Sequence, residues 1–249
     1  MSAQRWAEGM VVSQRHWTDT LLSLQVMAEV AEFEAGQFTR LSLDIGGEVI
    51  TRPYSFVNAP GERPLEFYYG IVPGGPLSPA LARLAAGDRI LVATAPAGFL
   101  VLSEVPDADT LWLLATGTGI GPFLSMLGTE TPWRRFRRVV LVHAARLARE
   151  LAYRDKLAAL ASRHGERLRV VHMLSREPAA DVLTGRIPQA IADGRLERAA
   201  GLALDAAGAQ VLLCGNPGMV TETTAVLRAR GMQKHRRRQP GQISAESYW

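Results

Sequence analysis

The chain has 249 residues, a formal net charge of +4 and a hydrophobic content of 47%, which is enough to build a core. Gly and Pro are near ordinary usage, which excludes collagen and low-complexity disorder. The single cysteine, Cys214, excludes an intrachain disulfide framework, a cysteine-ligated iron–sulfur cluster and a zinc site with several thiolates. No apolar run reaches about 18 residues, and residues 1–12 lack the apolar core of a secretory signal. These features predict a cytoplasmic protein without a membrane span.

Short apolar stretches separated by Gly and Pro turns occupy the first hundred residues. Period-two alternation predicts strands around residues 11–12, 22–26, 38–43, 65–69 and 90–92. Strands at this spacing are typical of a small antiparallel barrel or sandwich. One helix is predicted over residues 78–85, with Ser78 as its N-cap.

From Thr110 onward, continuous apolar runs alternate with helical stretches. The runs predict strands at residues 110–115, 138–143, 168–173 and 210–214. Helices are predicted at about 121–129, 149–163, 187–193 and 217–230. This alternation indicates a doubly wound parallel sheet. The charged stretch 103–109 is the predicted linker, which divides the chain into domains at 1–103 and 110–249.

A glycine-rich loop, Gly117–Gly121, follows the first strand of the predicted second domain and opens a helix. Glycine lets a backbone approach a ligand closely, and free N–H groups at a helix start attract an anion. Where an NAD site places a carboxylate after the second strand, this chain has Ala144, Ala145 and Arg146. A turn that only lets the strand and helix pack is the competing interpretation, and the loop alone leaves both open.

Three arginines, Arg146, Arg176 and Arg186, map to the carboxyl edge of the predicted sheet, where ligands of such folds bind. A guanidinium there can bind a phosphate through two parallel hydrogen bonds. The arginines therefore favour NADP(H), with its 2′-phosphate, over NAD(H). The alternative is that each is an ordinary solvated side chain.

In the first domain, Arg52–Ser55 combines a cation, a hydroxyl and the flat ring of Tyr54. These groups suit the pyrophosphate and ring system of an elongated cofactor. An edge strand with a proline and a half-buried tyrosine is the simpler alternative. Further on, residues 74–78 lead into the predicted short helix, whose start is another candidate anion site.

Three segments in order, Arg52–Ser55, Gly117–Gly121 and Cys214–Met219, resemble the signatures of the ferredoxin–NADP reductase superfamily, in particular of its short bacterial ferredoxin/flavodoxin–NADP(H) reductases. The resemblance covers nearly the whole chain. It implies a six-stranded antiparallel FAD-binding barrel, an NADP-binding α/β domain and a C-terminal tail that returns to FAD. The implied FAD residues are Arg52, Pro53, Tyr54, Ser55, Tyr68, Gly75, Leu77, Ser78, Thr118, Tyr248 and Trp249. The implied NADP residues are Gly117, Thr118, Gly119, Ala145, Arg146, Ser175, Arg176, Arg186, Gly215, Asn216 and Met219.

The activity that the resemblance implies is hydride transfer from NADPH to FAD, followed by single-electron transfer to ferredoxin or flavodoxin. No side-chain acid or base is required, and the implied reaction pocket contains Tyr54, Ser55, Thr118 and Cys214. Two alternatives remain open. One is an NAD(P)H-dependent flavin reductase or the reductase component of an oxygenase. The other is a non-catalytic NADP-binding module that senses redox state.

A dense basic run, Lys234–Arg238, is a candidate surface for these carriers, which are typically acidic in the family that the chain resembles. Its charged members are Lys234, Arg236, Arg237 and Arg238, and the alternative is a solvated loop. The run has no interleaved aromatics, and the five histidines are scattered without metal-ligand spacing. We therefore expect no metal and no nucleic-acid partner, and we expect a monomer.

Overall fold

The computed structural model describes residues 5–248 and divides them into two compact units. Unit 1 comprises the residues up to Val101 together with Gly121–Thr129, and unit 2 comprises Leu102–Ile120 and the residues from Glu130 onward. Each unit has its own six-stranded sheet and its own hydrophobic core. Among the described residues, no helix combines the length and the apolar character that crossing a membrane requires.

The sheet of unit 1 is antiparallel throughout, in the order β4-β3-β6-β1-β2-β5. A bridge between Phe56 and Phe67 joins the two outer strands and closes the sheet into a barrel. Alternating residues of the strands fill the interior, with Leu22, Leu24 and Phe67 fully buried. The strands are β1 (Trp6–His16), β2 (Leu21–Met27), β3 (Phe38–Ile45), β4 (Glu48–Ser55), β5 (Leu65–Gly70) and β6 (Arg89–Ala93).

Two short helices belong to unit 1, α1 (Leu77–Leu81) and α2 (Gly121–Leu127). The predicted N-cap at Ser78 is wrong, because the Ser78 hydroxyl accepts a hydrogen bond from the Val72 N–H at 2.9 Å and so fastens the preceding turn. The predicted extension of this helix to residue 85 is also wrong. The Asp88 carboxylate accepts a hydrogen bond from the Ala85 N–H at 2.7 Å, which stabilises a turn there.

The sheet of unit 2 is parallel throughout, in the order β10-β9-β8-β7-β11-β12. Its central strands are buried on both faces, as their continuous apolar runs predict. The strands are β7 (Thr110–Thr116), β8 (Arg138–Ala145), β9 (Leu168–Leu174), β10 (Leu183–Thr184), β11 (Ala209–Gly215) and β12 (Ile243–Ser247). The helices are α3 (Thr131–Arg135), α4 (Arg154–His164), α5 (Ile187–Ala192), α6 (Arg195–Ala200) and α7 (Pro217–Ala229).

The predicted fold class, an antiparallel barrel followed by a parallel α/β sheet, is confirmed. The main difference lies after β8. The helix predicted over residues 149–163 begins only at Arg154, because a 3₁₀ turn at Ala148–Glu150 and the left-handed Tyr153 (φ 61°) precede it. Strands β10 and β12 and helices α3 and α6 were not expected from the sequence.

Candidate functional site

The carboxyl ends of the parallel strands form one edge of unit 2. The in-register pairs Thr116 with Ala144, Ala145 with Leu174, and Leu174 with Thr184 align these ends. Ligands of open α/β sheets bind beyond this edge. The residues that the sequence predicts for the coenzyme follow these strand ends directly.

Two of the predicted coenzyme glycines allow the loops after β7 and β11 to approach each other closely. A Cβ atom on Gly119 would overlap the Cys214 carbonyl oxygen, and one on Gly215 (φ +132°) would overlap the Thr116 hydroxyl. That hydroxyl accepts a hydrogen bond from the Asn216 N–H at 2.9 Å. Gly117 differs, because it has a φ of +53° and a Cβ atom added there would have no neighbouring atom within 4 Å. Packing therefore requires Gly119 and Gly215, whereas Gly117 borders open space.

The predicted coenzyme residues at the start of α7 also have structural roles. The Asn216 side-chain oxygen accepts hydrogen bonds from the Gly218 N–H at 2.9 Å and the Met219 N–H at 3.3 Å, so it caps the helix. Met219 packs into the core of unit 2, and Thr118 is buried in the glycine loop. Coenzyme contacts of these residues stay predictions.

The parallel register brings the three predicted arginines to neighbouring strand ends. The Arg176 N–H donates to the Arg146 carbonyl oxygen at 3.0 Å, which continues the pairing of β8 with β9. The Gly185 N–H donates to the Leu174 carbonyl oxygen at 2.8 Å, which places Arg186 beyond the next strand end. All three arginines are exposed. The predicted Ala145 and Ser175 lie beside them, joined by a backbone hydrogen bond of 3.1 Å.

Cys214 has a neighbour that sequence reasoning missed, the carboxyl group of Glu246. Burial raises the pKa of the Cys214 thiol above its usual range, so the thiol stays neutral. Glu246 pairs in register with Cys214 on β12, and burial raises its pKa to about 7. The Tyr248 side chain hydrogen-bonds to Cys214, and its N–H donates to the Gly215 carbonyl oxygen at 2.9 Å. Trp249 lies outside the described residues.

Two histidines that look scattered in the sequence, His143 and His172, are in-register neighbours on β8 and β9. Their ring centroids are 6.1 Å apart, and His143 is fully buried. Burial, with a smaller contribution from the nearby His172, lowers the pKa of His143 to about 3. The pair is therefore neutral at physiological pH.

In unit 1, Tyr54 lies near the end of the outer strand β4. Its ring meets that of Tyr69 edge-to-face, with centroids 6.0 Å apart, and burial raises the pKa of Tyr54 to about 12. The adjacent Arg52 is exposed, and one guanidinium nitrogen donates to the Thr51 carbonyl oxygen at 2.7 Å. Pro53 and Ser55 complete the predicted motif on the same strand.

The tyrosines of β5 lie on opposite faces of that strand. Tyr68, the one predicted to contact FAD, meets Trp17 edge-to-face at 6.5 Å, whereas Tyr69 faces Tyr54. Among the described residues, the buried hydroxyl of Tyr69 has no hydrogen-bond partner. Of the remaining predicted residues, Leu77 is a core residue of the barrel, and Gly75 lies in the turn that Ser78 fastens.

The residues around Tyr54 fit an aromatic, phosphate-bearing cofactor. The half-buried ring of Tyr54 provides an apolar face, and the exposed Arg52 provides a cation two residues away. The buried Tyr69 hydroxyl lacks the partner that such groups almost always have. A ligand with polar ring atoms could supply that partner.

Similar proteins decide the family. A model of the oxidoreductase NAD-binding domain matches residues 113–225. The flavodoxin/ferredoxin–NADP reductase of Shigella flexneri is 51% identical over 98% of this chain and 99% of its own length. The chain belongs to the flavodoxin/ferredoxin–NADP reductase family.

Other relatives in this family include the flavodoxin/ferredoxin–NADP reductase of Escherichia coli K12, which is 50% identical over 98% of this chain and 99% of its own. A solved ferredoxin NADP⁺ reductase from Neisseria gonorrhoeae, with bound FAD and NADP, has a TM-score of 0.93. It is 35% identical and covers 99% of both chains. The family resemblance read from the three sequence motifs is thereby confirmed.

Proposed function

We propose that this chain is an FAD-dependent oxidoreductase that transfers electrons from NADPH to ferredoxin or flavodoxin. Full-length relatives bear the name of this activity, and the Neisseria relative binds both FAD and NADP. The observation that carries the proposal is the continued backbone pairing between Arg146 and Arg176, which places two exposed arginine residues at adjacent strand ends. Two such cations suit the 2′-phosphate that distinguishes NADPH from NADH.

The coenzyme contacts are assigned to exposed groups at this edge. Arg146, Arg176 and Arg186 bind the 2′-phosphate, with the Ser175 hydroxyl beside them. The open space at Gly117 allows the coenzyme to approach the polypeptide backbone at the end of β7. The neutral Cys214 thiol lines the pocket and does not act as a nucleophile, because burial disfavours the thiolate form.

The flavin contacts are assigned to the barrel. Arg52 binds the pyrophosphate, and the Tyr54 ring packs against the flavin ring system. When bound, FAD accepts a hydride from NADPH and releases electrons one at a time. The polypeptide binds and orients both partners and supplies no acid or base to this transfer.

The basic run folds into a tight turn that is the assigned carrier surface. The Arg236 N–H donates to the Gln239 carbonyl oxygen at 3.0 Å, and the Gln239 N–H donates back at 2.8 Å. The turn therefore places Arg237 and Arg238 at its tip. All four charged side chains of the run are exposed, and one of them, Arg237, forms an ion pair of 2.6 Å with Glu104. These charges attract an acidic carrier. We also propose that the protein is a monomer located in the cytoplasm.

The coenzyme assignment is tested by Arg176→Ala. A lost charge-assisted phosphate contact costs about 1.5–3 kcal/mol, so the KM for NADPH should rise about tenfold or more while the KM for NADH hardly changes. The matched control is Arg169→Ala, because Arg169 lies on β9, the strand that Arg176 follows, and its guanidinium donates to the Ala199 carbonyl oxygen away from the strand end. Equal losses for both coenzymes would contradict the assignment.

The acceptor is tested by following NADPH oxidation with a panel of ferredoxins, flavodoxins and free flavins. Reduction of a ferredoxin or flavodoxin at a rate well above that of free flavin supports the proposal. Preference for free flavin would indicate a flavin reductase, and a colourless protein that binds NADPH without oxidising it would indicate a non-catalytic module.

A further inference from the structure

The loop after β8 has three successive backbone N–H groups, and the chain's own carboxylates occupy all of them. One oxygen of Glu150 accepts hydrogen bonds from the Arg146 N–H at 2.9 Å and the Leu147 N–H at 3.3 Å. The carboxylate of Glu177 accepts from the Ala148 N–H. Such successive N–H groups would otherwise form an anion site at this edge of the sheet.

Glu150 also engages the side chain of Arg146. Its second oxygen lies 3.1 Å from Nη2 of Arg146, and its first lies 3.5 Å from Nε. The Glu150 side chain is only 13% exposed, whereas that of Arg146 is 58% exposed. The carboxylate is thus fixed against the backbone, and the guanidinium reaches from it into solvent.

This arrangement has two consequences for a phosphate bound at Arg146. The backbone N–H groups of the loop are already used, so the phosphate can contact only the outer side of the guanidinium. A fixed negative charge also remains behind that guanidinium and opposes a second anion. The backbone hydrogen bonds hold Glu150 in place when the guanidinium changes partner.

The pairing is selective for one of the three arginines at this edge. Over residues 5–248, no ion pair involves Arg176 or Arg186. The sequence places no acid directly after β8, yet the turn at Ala148–Glu150 returns one to that position. Dinucleotide sites for NAD use an acid after the second strand to bind the ribose hydroxyl.

We infer that Glu150 is a specificity-determining residue that weakens phosphate binding at Arg146 and so limits the preference for NADP(H) over NAD(H). The inference rests on the proposed function, because it requires Arg146 to bind the 2′-phosphate. It concerns the strength of that contact, and Glu150 itself is not assigned a part in electron transfer.

The test is Glu150→Gln in the FAD-loaded protein, with binding of NADP⁺ and of NAD⁺ measured by calorimetry. Glutamine keeps the side-chain oxygen that accepts from the backbone and removes the charge. Because the Arg146 guanidinium is 58% exposed and solvent screens its interactions, the Kd for NADP⁺ should fall only about threefold, while that for NAD⁺ does not fall. The matched control is Glu177→Gln, which removes a carboxylate that follows β9 and binds the same loop through the Ala148 N–H without a contact to Arg146, and its effect should be smaller.

Two results would overturn the inference. Weaker or unchanged NADP⁺ binding in Glu150→Gln would mean that the carboxylate orients Arg146 or has no influence on the phosphate. An equal gain in Glu177→Gln would mean that any nearby charge acts alike. Arg146→Ala separates these failures from failure of the proposed function. If Arg146→Ala leaves NADP⁺ binding unchanged, the phosphate site itself is misassigned. If Arg146→Ala weakens binding, Glu150→Gln in that background should tighten NADP⁺ binding by less than in the parent, because the carboxylate no longer competes for the guanidinium and only its direct repulsion of the phosphate remains.

Discussion

Tyr54 presents its ring at the end of β4 with one edge already packed against Tyr69. An aromatic contact contributes about 0.5–1.5 kcal/mol beyond the area that it buries. We therefore expect Tyr54→Ala to weaken FAD binding about tenfold and Tyr54→Phe to retain it. The measurement is the ratio of FAD to protein after gel filtration, together with the flavin absorption spectrum. If Tyr54→Ala retains a full complement of tightly bound FAD, the Arg52–Ser55 segment is only an outer strand of the barrel and does not bind the flavin.

Glu246 gives the unfolding free energy a defined pH dependence. Burial raises its pKa to about 7 in the folded state, above its ordinary value of 4.5. Below about pH 4.5 the Glu246 carboxyl is neutral in both states and does not lower the free energy of unfolding. As the pH rises through 7 the buried carboxyl must ionise, and the free energy of unfolding falls. We expect Glu246→Gln to be more stable than the parent by about 2–3 kcal/mol at pH 8 and to lose this advantage near pH 4.5.

Denaturant unfolding of both proteins at the two pH values checks this expectation. The control is Glu222→Gln, because Glu222 is an exposed residue of α7. A stability difference for Glu246→Gln that is the same at both pH values would contradict the expected linkage.

The site residues that could be predicted from the sequence are those that directly follow a predicted strand, because this position fixes the sheet edge at which they lie. Arg146, Arg176 and Arg186 follow strand ends, so parallel topology alone brings them to one edge. Tyr69 and Glu246 could not be found this way, because their significance depends on neighbours distant in sequence, Tyr54 and Cys214.

At the scale of elements, the glycine loop packs directly against the backbone at the end of β11. Because a Cβ on Gly119 would overlap the backbone of Cys214, Gly119→Ala should destabilise the protein by about 1–3 kcal/mol. The matched control is Gly208→Ala, where the nearest atom would lie 3.8 Å away and the cost should stay within about 0.5 kcal/mol. Chemical denaturation measures both. Equal stability of the two variants would contradict this close approach.

The elements found from the sequence are those with one unambiguous signal. Continuous apolar runs predict β7, β8, β9 and β11, since a strand covered on both faces needs no polar side. Strand β12 escaped prediction because Ser244, Glu246 and Ser247 interrupt its apolar character shortly after the basic run. Its pairing with β11 comes from backbone hydrogen bonds, which no side-chain pattern reveals. The start of α4 was misplaced because Glu150 caps a separate turn.

At the scale of the whole molecule, the net charge of +4 favours acidic partners, and the turn at Arg236–Gln239 concentrates part of that charge. Changing Arg236 and Arg238 together to Gln should slow reduction of an acidic carrier several-fold at low salt and flatten its salt dependence. Reduction of a small dye should stay unchanged. The comparison variant is Arg237→Gln, because Glu104 already neutralises Arg237, so its effect on the carrier should be smaller. A carrier rate unchanged by the double substitution would leave the turn a solvated loop.

Unit 1 is assembled from two separate stretches of chain, because Gly121–Thr129 belongs with the barrel. Within it, the buried hydroxyl of Ser125 donates to the Asn58 carbonyl oxygen at 2.7 Å. For protein engineering, this means that neither unit is a contiguous cassette. A fragment cut after Val101 keeps all six strands but leaves the Asn58 carbonyl without that donor. A chimera that exchanges the barrel between relatives needs junctions after Val101, before Gly121 and after Thr129, so that α2 travels with its own barrel.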